Sequence, residues 1–172
     1  MPGWDAEFEA FAVTRSRPLL RSAYLLCGDQ AMAEDLVQTA LARLYSAWPR
    51  LKRRDELDGY ARTIVARAFV DETRRPWRRE RPVAQLPGVT SPGDDAEATA
   101  GRIAMLDALR SLPPRQRAVV LLRVWEDLSV EQTAEALSIS AGTVKSQLSK
   151  ALETLRRQPN LMSEARREGV RD

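Results

Sequence analysis

Residues 129–157 read SVEQTAEALSISAGTVKSQLSKALETLRR, and this stretch decides the fold. Ser129 with Gln132 three positions on forms a capping box, in which hydroxyl and amide side chain each satisfy a backbone N–H at a helix start. The apolar run Val130, Ala134, Leu137 begins there. Ser138, Ser140 and Gly142 then interrupt the periodicity, and Ser140 is placed to cap a second helix opening near Ala141. In that helix Val144, Leu148, Leu152 and Leu155 recur at spacings of four, four and three, one stripe of a 3.6-residue repeat. The opposite face carries Lys145, Ser146, Ser149 and Lys150. Short hydroxyls suit base edges in a major groove and cations suit guanine or phosphate, while Thr143 at the helix start offers a contact to phosphate. The pattern is a helix-turn-helix, with DNA binding as the first hypothesis. Packing in a plain helical bundle produces the same apolar back and polar front, so the stretch alone leaves both open.

Composition narrows the alternatives. The chain has 172 residues, 44% of them hydrophobic, enough for one domain or two small helical ones. Net charge is +3, and Lys52, Lys145 and Lys150 are the only lysines among 27 cationic residues. An arginine bias suits phosphate contacts and also follows from a GC-rich genome, which we weight more heavily. With no histidine and the single cysteine Cys27, zinc fingers, Ser-His and Cys-His catalysis and an internal disulfide are excluded. No metal or cofactor is expected. The acidic start MPGWDAEFEAF has no charged and apolar signal pattern, and no run approaches the roughly 18 apolar residues of a membrane span, so the expected location is the cytoplasm.

Periodicity near 3.6 dominates throughout, which predicts an all-α chain. The expected helices are 4–13, 18–27, 31–48, 56–75, 102–112, 114–125, 130–137 and 141–158. Between the fourth and fifth, residues 76–101 hold Pro76, Pro82, Pro87, Gly88, Pro92, Gly93 and Gly101 with little apolar patterning. This reads as a flexible linker joining two small helical domains, basic at RRPWRRERP and acidic at Asp94, Asp95 and Glu97. Extended at about 3.3 Å per residue it reaches roughly 80 Å, so the domains need not touch when bound to something large. A tether without contacts of its own is an equal reading. In the third helix Leu36, Ala40, Leu44 and Trp48 form one stripe with Val37, Leu41 and Tyr45 beside it, leaving Asp35, Gln38 and Arg43 outside. Asp35 suits a protein partner, or merely the helix dipole.

AEDLVQ in a helix ending at an aromatic, then YARTIVARAFVDETRR, then LRSLPPRQRAVVLLRVWEDLSVEQTAEALSISAGTVKSQLSKALETLRR resembles the two-domain bacterial sigma factors of the extracytoplasmic-function group of the sigma-70 family. The resemblance runs from about Phe8 to Arg157 and suggests an actinobacterial-type genome. It implies region 2 within 1–76, a linker over 77–101, region 4 within 102–158 and a short tail over 159–172. It also implies that the chain is no enzyme. Asp35, Leu36 and Gln38 fall where region 2 meets the clamp helices of the RNA polymerase largest subunit, although Thr39 stands where an acidic residue is common. Lys52, Arg53 and Arg54 lie in the loop that captures a flipped minus-ten base, at a melting cost of a few kcal/mol. Tyr60 stands where tryptophan is frequent, suited either to stacking on exposed bases or to buried packing. Arg67 replaces a frequent asparagine, which puts the minus-ten preference in doubt, and Asp71 matches a common aspartate.

In region 4, Pro114 starts a helix, where its missing N–H costs nothing. Arg115 and Arg117 correspond to backbone contacts beside the minus-35 element. Thr143, Lys145, Ser146, Ser149 and Lys150 correspond to the groove-facing set, with Ser149 smaller than the residue some relatives hold, so that its contact is absent or water-mediated. Val119, Leu122 and Trp125 would face the core, the leftover apolar surface would meet the flap of the second-largest subunit, and an anti-sigma factor is a further partner the resemblance allows. A stand-alone repressor or activator would normally dimerise over two half-sites, and no dimer helix appears. A nuclease would need clustered carboxylates, and Asp94, Asp95 and Glu97 in a Pro/Gly stretch scaffold them poorly.

Overall fold

The structure, a computed structural model, is described for residues 3–51, 56–75 and 96–158, with 96–100 and 102 described by their backbone alone. It is all-α over these residues: α1 Asp5–Cys27, α2 Gln30–Ala47, a 3₁₀ turn Trp48–Arg50, α3 Leu57–Thr73, α4 Ala96–Arg110, α5 Pro114–Val120, a π-helical turn Leu121–Trp125, α6 Val130–Leu137 and α7 Ala141–Arg156.

The first correction concerns α1. Residues 4–13 and 18–27, read as two helices split at Pro18, form one continuous helix with Pro18 inside it. Proline there removes a backbone donor and ordinarily costs about 3 kcal/mol. Burial on both sides of the interruption offsets that cost. Phe8 and Phe11 pack against Trp48, with ring centroids 5.2 and 5.4 Å apart, and Leu19, Ala23 and Leu26 are buried beyond Pro18. The helix ends at Gly28, whose φ of 64° is the left-handed conformation that glycine adopts without strain. Asp29 then caps α2, accepting the Met32 N–H at 2.7 Å.

The second correction concerns 76–101. Helix α4 begins at Ala96, six residues before the expected start at 102, so the last part of the expected linker is helical. Residues 76–95 and the tail 159–172 lie outside the described residues.

The halves also pack against each other. One cluster of buried side chains runs from Leu19 and Leu26 in α1 through Val65 and Phe69 in α3 to Val119, Leu122, Leu137 and Val144 in the carboxy-terminal half. Helix α3 shows the reason. Ile64, Val65, Ala66, Ala68, Phe69 and Val70 are all buried, far more than one stripe of a helix. A helix apolar nearly all round must be covered nearly all round. Helices α1 and α2 take one side, α5 and α6 the other.

Candidate nucleic-acid interface

The carboxy-terminal face is built as its spacing predicts. The Gln132 N–H donates to Ser129 Oγ at 3.0 Å and the Ser129 N–H to Gln132 Oε1 at 2.8 Å, closing the capping box. Helix α6 ends at Ser138, whose φ of 53° makes the left-handed turn, so the turn rests on Ser138 and not on Gly142, which lies inside α7. Ser140 caps α7 by accepting the Thr143 N–H at 3.1 Å, and its hydroxyl lies 2.8 Å from the Thr143 hydroxyl.

Val144 and Ala151 are the fully buried anchors of α7, with Leu148, Leu152 and Leu155 half-buried beside them. Ala151 was absent from the expected stripe because alanine carries little apolar signal. Opposite them Ser146 and Ser149 sit mid-face, Lys145 and Lys150 flank them, and all four are exposed. Glu153, one turn on, shares this face and pairs with Arg157 at 2.5 Å. It sets a carboxylate beside the lysines and hydroxyls of this face. Arg115 is exposed at the start of α5.

Arg117 is not on this face. Its guanidinium donates to the carbonyls of Leu26, Leu112 and Arg110 and lies over the Phe69 ring, 5.6 Å from the centroid. Burial lowers its affinity for the proton. A side chain committed to three carbonyls has little left for phosphate, so here Arg117 joins the two halves.

In the amino-terminal half, α3 leaves one stripe uncovered, and it holds Tyr60, Arg67 and Asp71, at spacings of seven and four. Tyr60 is 42% exposed, so it is not packed in the core. Arg67 donates to the Ser138 hydroxyl in the turn of the helix-turn-helix. Lys52, Arg53 and Arg54 lie outside the described residues.

On α2, Asp35 and Gln38 are exposed on the outward face beside Ala42. Leu36 is a correction: it is 4% exposed and belongs to the core, because it falls on the stripe with Ala40 and Leu44 and cannot reach a partner. Tyr45, expected beside the core stripe, is 42% exposed. Its hydroxyl donates to Asp5 at 3.0 Å, which raises its pKa, and its ring packs on Trp4 and Phe8.

Among the described residues no group of three His, Cys, Asp or Glu could hold a metal ion, and no helix is long and apolar enough to cross a membrane. The residues expected to meet DNA and polymerase lie on exposed polar faces of α3, α7 and α2.

The chain matches two family descriptions, Sigma-70 region 2 over residues 6–79 and Sigma-70, region 4 over residues 102–155. It is 47% identical over 156 residues to the RNA polymerase sigma-E factor of Streptomyces coelicolor, covering 87% of this chain and 84% of that one. The ECF RNA polymerase sigma factor SigE of Mycolicibacterium smegmatis is 31% identical over 165 residues, 91% of this chain and 61% of that one. In fold it is similar to the sigma factor RpoE crystallised with the anti-sigma factor NepR from Bartonella quintana, with a TM-score of 0.67, 21% identity and coverage of 87% of this chain and 94% of that one.

Proposed function

Because the chain belongs to the sigma-70 family, with both its region 2 and its region 4, we propose that it directs core RNA polymerase to promoters by reading a minus-35 element with α7 and capturing the melted minus-ten strand along α3. As a sigma factor it performs no bond chemistry. Melting is driven by binding, and nucleotide addition belongs to the core enzyme.

The observation that carries this reading is that each matched region presents one exposed polar stripe holding the residues expected to meet DNA. On α7, Ser146 and Ser149 lie between Lys145 and Lys150, the chemistry for base edges between phosphates. Thr143 and Arg115 flank them, and a helix N-terminus favours phosphate. On α3, Tyr60 supplies an aromatic face for an unstacked base and Arg67 a cation, with Asp71 one turn on. Lys52, Arg53 and Arg54 add charge just before this helix. The outward face of α2, with Asp35 and Gln38, is the docking surface for the polymerase clamp. Val119 and Leu122 are buried, but Trp125, expected beside them in the core, is 56% accessible on the π-helical turn next to Val124 at 59%, and these two exposed side chains are what the flap of the second-largest subunit takes. An anti-sigma factor, the class of partner in the Bartonella complex, is a further partner, and the site of action is the cytoplasm.

The test is run-off transcription with purified core polymerase and a genomic fragment library. Transcripts starting downstream of a shared two-box motif are expected. Starts scattered without a common upstream sequence would reject the reading.

A further inference from the structure

The chain after α5 does not wind as its periodicity would have it. At about 100° per residue Ala118, Leu122 and Trp125 share one stripe of an α-helix, and the first two are 0% exposed. Trp125 is not with them. The Glu126 N–H donates to the Leu121 carbonyl at 3.0 Å, five residues back where an α-helix closes over four. Each residue of the turn Leu121–Trp125 therefore advances less far around the axis, and Trp125 stops short of the core stripe, on the side of Val120 and Leu121. There it stands with Val124 at the edge of a cavity of about 200 Å³, lined also by Leu25, Met105, Leu109 and Leu155.

Two side chains hold this winding. Asp127 has a φ of 51°, the left-handed conformation that costs stability in any residue with a Cβ. Just past it the Leu128 N–H reaches back to the Leu122 carbonyl at 3.0 Å. Arg123 closes the loop by donating to the Leu128 carbonyl. Its Nε is buried without a hydrogen-bond partner among the described residues, a further cost. The same turn sets Glu126 against Arg62 of α3, 2.5 Å away. A left-handed aspartate, an unpaired guanidinium nitrogen and a large aromatic left in water all oppose stability, and π turns recur where a helix has a task besides packing.

We propose that Arg123 and Asp127 are positioning residues for polymerase binding: they fix the winding that takes Trp125 out of the core and present it, with Val124 and the cavity beside them, as the anchor for an apolar segment of the flap. The proposal rests on the sigma-factor reading above and on its assignment of the flap to this surface. The cavity exposes only apolar surface, which suits an aliphatic side chain of the partner. A tryptophan fixed in advance binds without the ordering cost of a mobile one. Neither Arg123 nor Asp127 needs to touch polymerase. What matters at Asp127 is the backbone conformation and not the carboxylate.

The experiment measures the affinity of full-length variants for core RNA polymerase, with every tryptophan replaced by its 5-fluoro analogue and the Trp125 fluorine signal assigned by its loss in Trp125→Phe. The shift of that signal between light and heavy water reports how far the ring stands in solvent. Trp125→Ala should weaken binding about tenfold or more. Asp127→Val, a β-branched residue that left-handed backbone disfavours, should weaken it about tenfold with helical circular dichroism intact, and should change the solvent shift of Trp125. Asp127→Asn loses the charge but tolerates the conformation, so affinity and solvent shift should stay within about twofold of the unsubstituted chain. Arg123→Met should share the loss, and Arg123→Lys, which still donates, should recover part of it. Should Asp127→Val lose its helical signal, Arg123→Met carries the test. Native affinity in Asp127→Val and Arg123→Met, equal weakening by Asp127→Val and Asp127→Asn, or weakening that leaves the Trp125 signal unmoved would overturn the proposal. Failure of the flap assignment looks different: a benzophenone amino acid in place of Val124 cross-links no second-largest subunit in the holoenzyme and Trp125→Ala binds normally, while Asp127→Val still moves the Trp125 signal.

Discussion

At the residue scale two neighbours at the end of α1 make opposite demands. Cys27 is buried, and its thiol donates to the Asp29 carbonyl at 3.2 Å. Burial pushes the thiol up from 9.0 to about 11 against the opposing effect of the Asp29 bond. The fold thus favours the protonated thiol, while the unfolded chain releases its proton from about pH 9 upward. This stabilisation is complete below pH 9, falls as pH rises toward 11, and amounts to on the order of 2 kcal/mol. Comparing urea midpoints of the protein and Cys27→Ala across pH 8 to 11 should show a steeper alkaline decline in the unsubstituted chain; parallel curves would assign that decline to other groups. Gly28 next door combines φ of 64° with a close approach, since a Cβ there would collide with the Arg110 guanidinium. Gly28→Ala should cost about 1–2 kcal/mol for the backbone and displace Arg110 from the Gly28 carbonyl. Gly28→Asn, whose side chain tolerates this conformation, keeps the second effect and lessens the first. Equal melting temperatures for the two variants would show that Arg110 and not the backbone sets the cost.

At the scale of elements, α2, α6 and α7 each divide into a face that packs and a face that stays exposed. Leu36→Ala should cost about 2–5 kcal/mol as a core cavity. Asp35→Ala with Gln38→Ala should change stability by less than about 0.5 kcal/mol while weakening capture by core polymerase in a pull-down. Normal capture would remove α2 from the polymerase interface. Ser129→Ala should cost about 1 kcal/mol by opening the capping box. Lys150→Ala should weaken promoter binding and shallow its salt slope by about one; an unchanged slope means that the lysine does not face phosphate. These elements were legible because their signals are local: a cap three residues from its partner, a stripe at 3.6. What escaped depends on distant chain. Pro18 announces a break unless Phe8, Phe11 and Leu26 are known to share a core, and the turn Leu121–Trp125 has no pattern that separates π from α winding. Glu153 was hidden by the lysines beside it, and Leu36 was misplaced because the motif Asp-Leu-x-Gln was carried over whole although its leucine lies on the buried stripe.

Across the whole molecule, the sequence speaks for two domains, and the structure adds that buried side chains of both family regions meet in one cluster. The Pro/Gly composition of 76–95 marks the division of the chain well. It is silent on whether Phe69 and Arg117, 48 positions apart, meet. Amphipathic spacing shows that a helix has a buried side, not which neighbour covers it; only the excess of buried residues on α3, legible in IVARAFV, hints at a second covering layer. The shared core has a thermodynamic consequence. A buried cluster continuous from α1 to α7 couples the halves, so neither should unfold at a denaturant concentration the other survives. Trp48, 2% exposed in the amino-terminal core, and Trp125, 56% exposed on the π-helical turn, report on the two halves. With the other tryptophans replaced by phenylalanine, fluorescence from each alone should give the same urea midpoint, coincident with circular dichroism at 222 nm. In the Glu126→Lys background the coupling term is reduced, so the two midpoints should separate, with each slope against urea smaller than that of the joint transition because each half exposes less surface. Separate midpoints already in the unsubstituted chain would mean that the apolar contact between α3 and the carboxy-terminal half contributes too little to bind the halves into one cooperative unit.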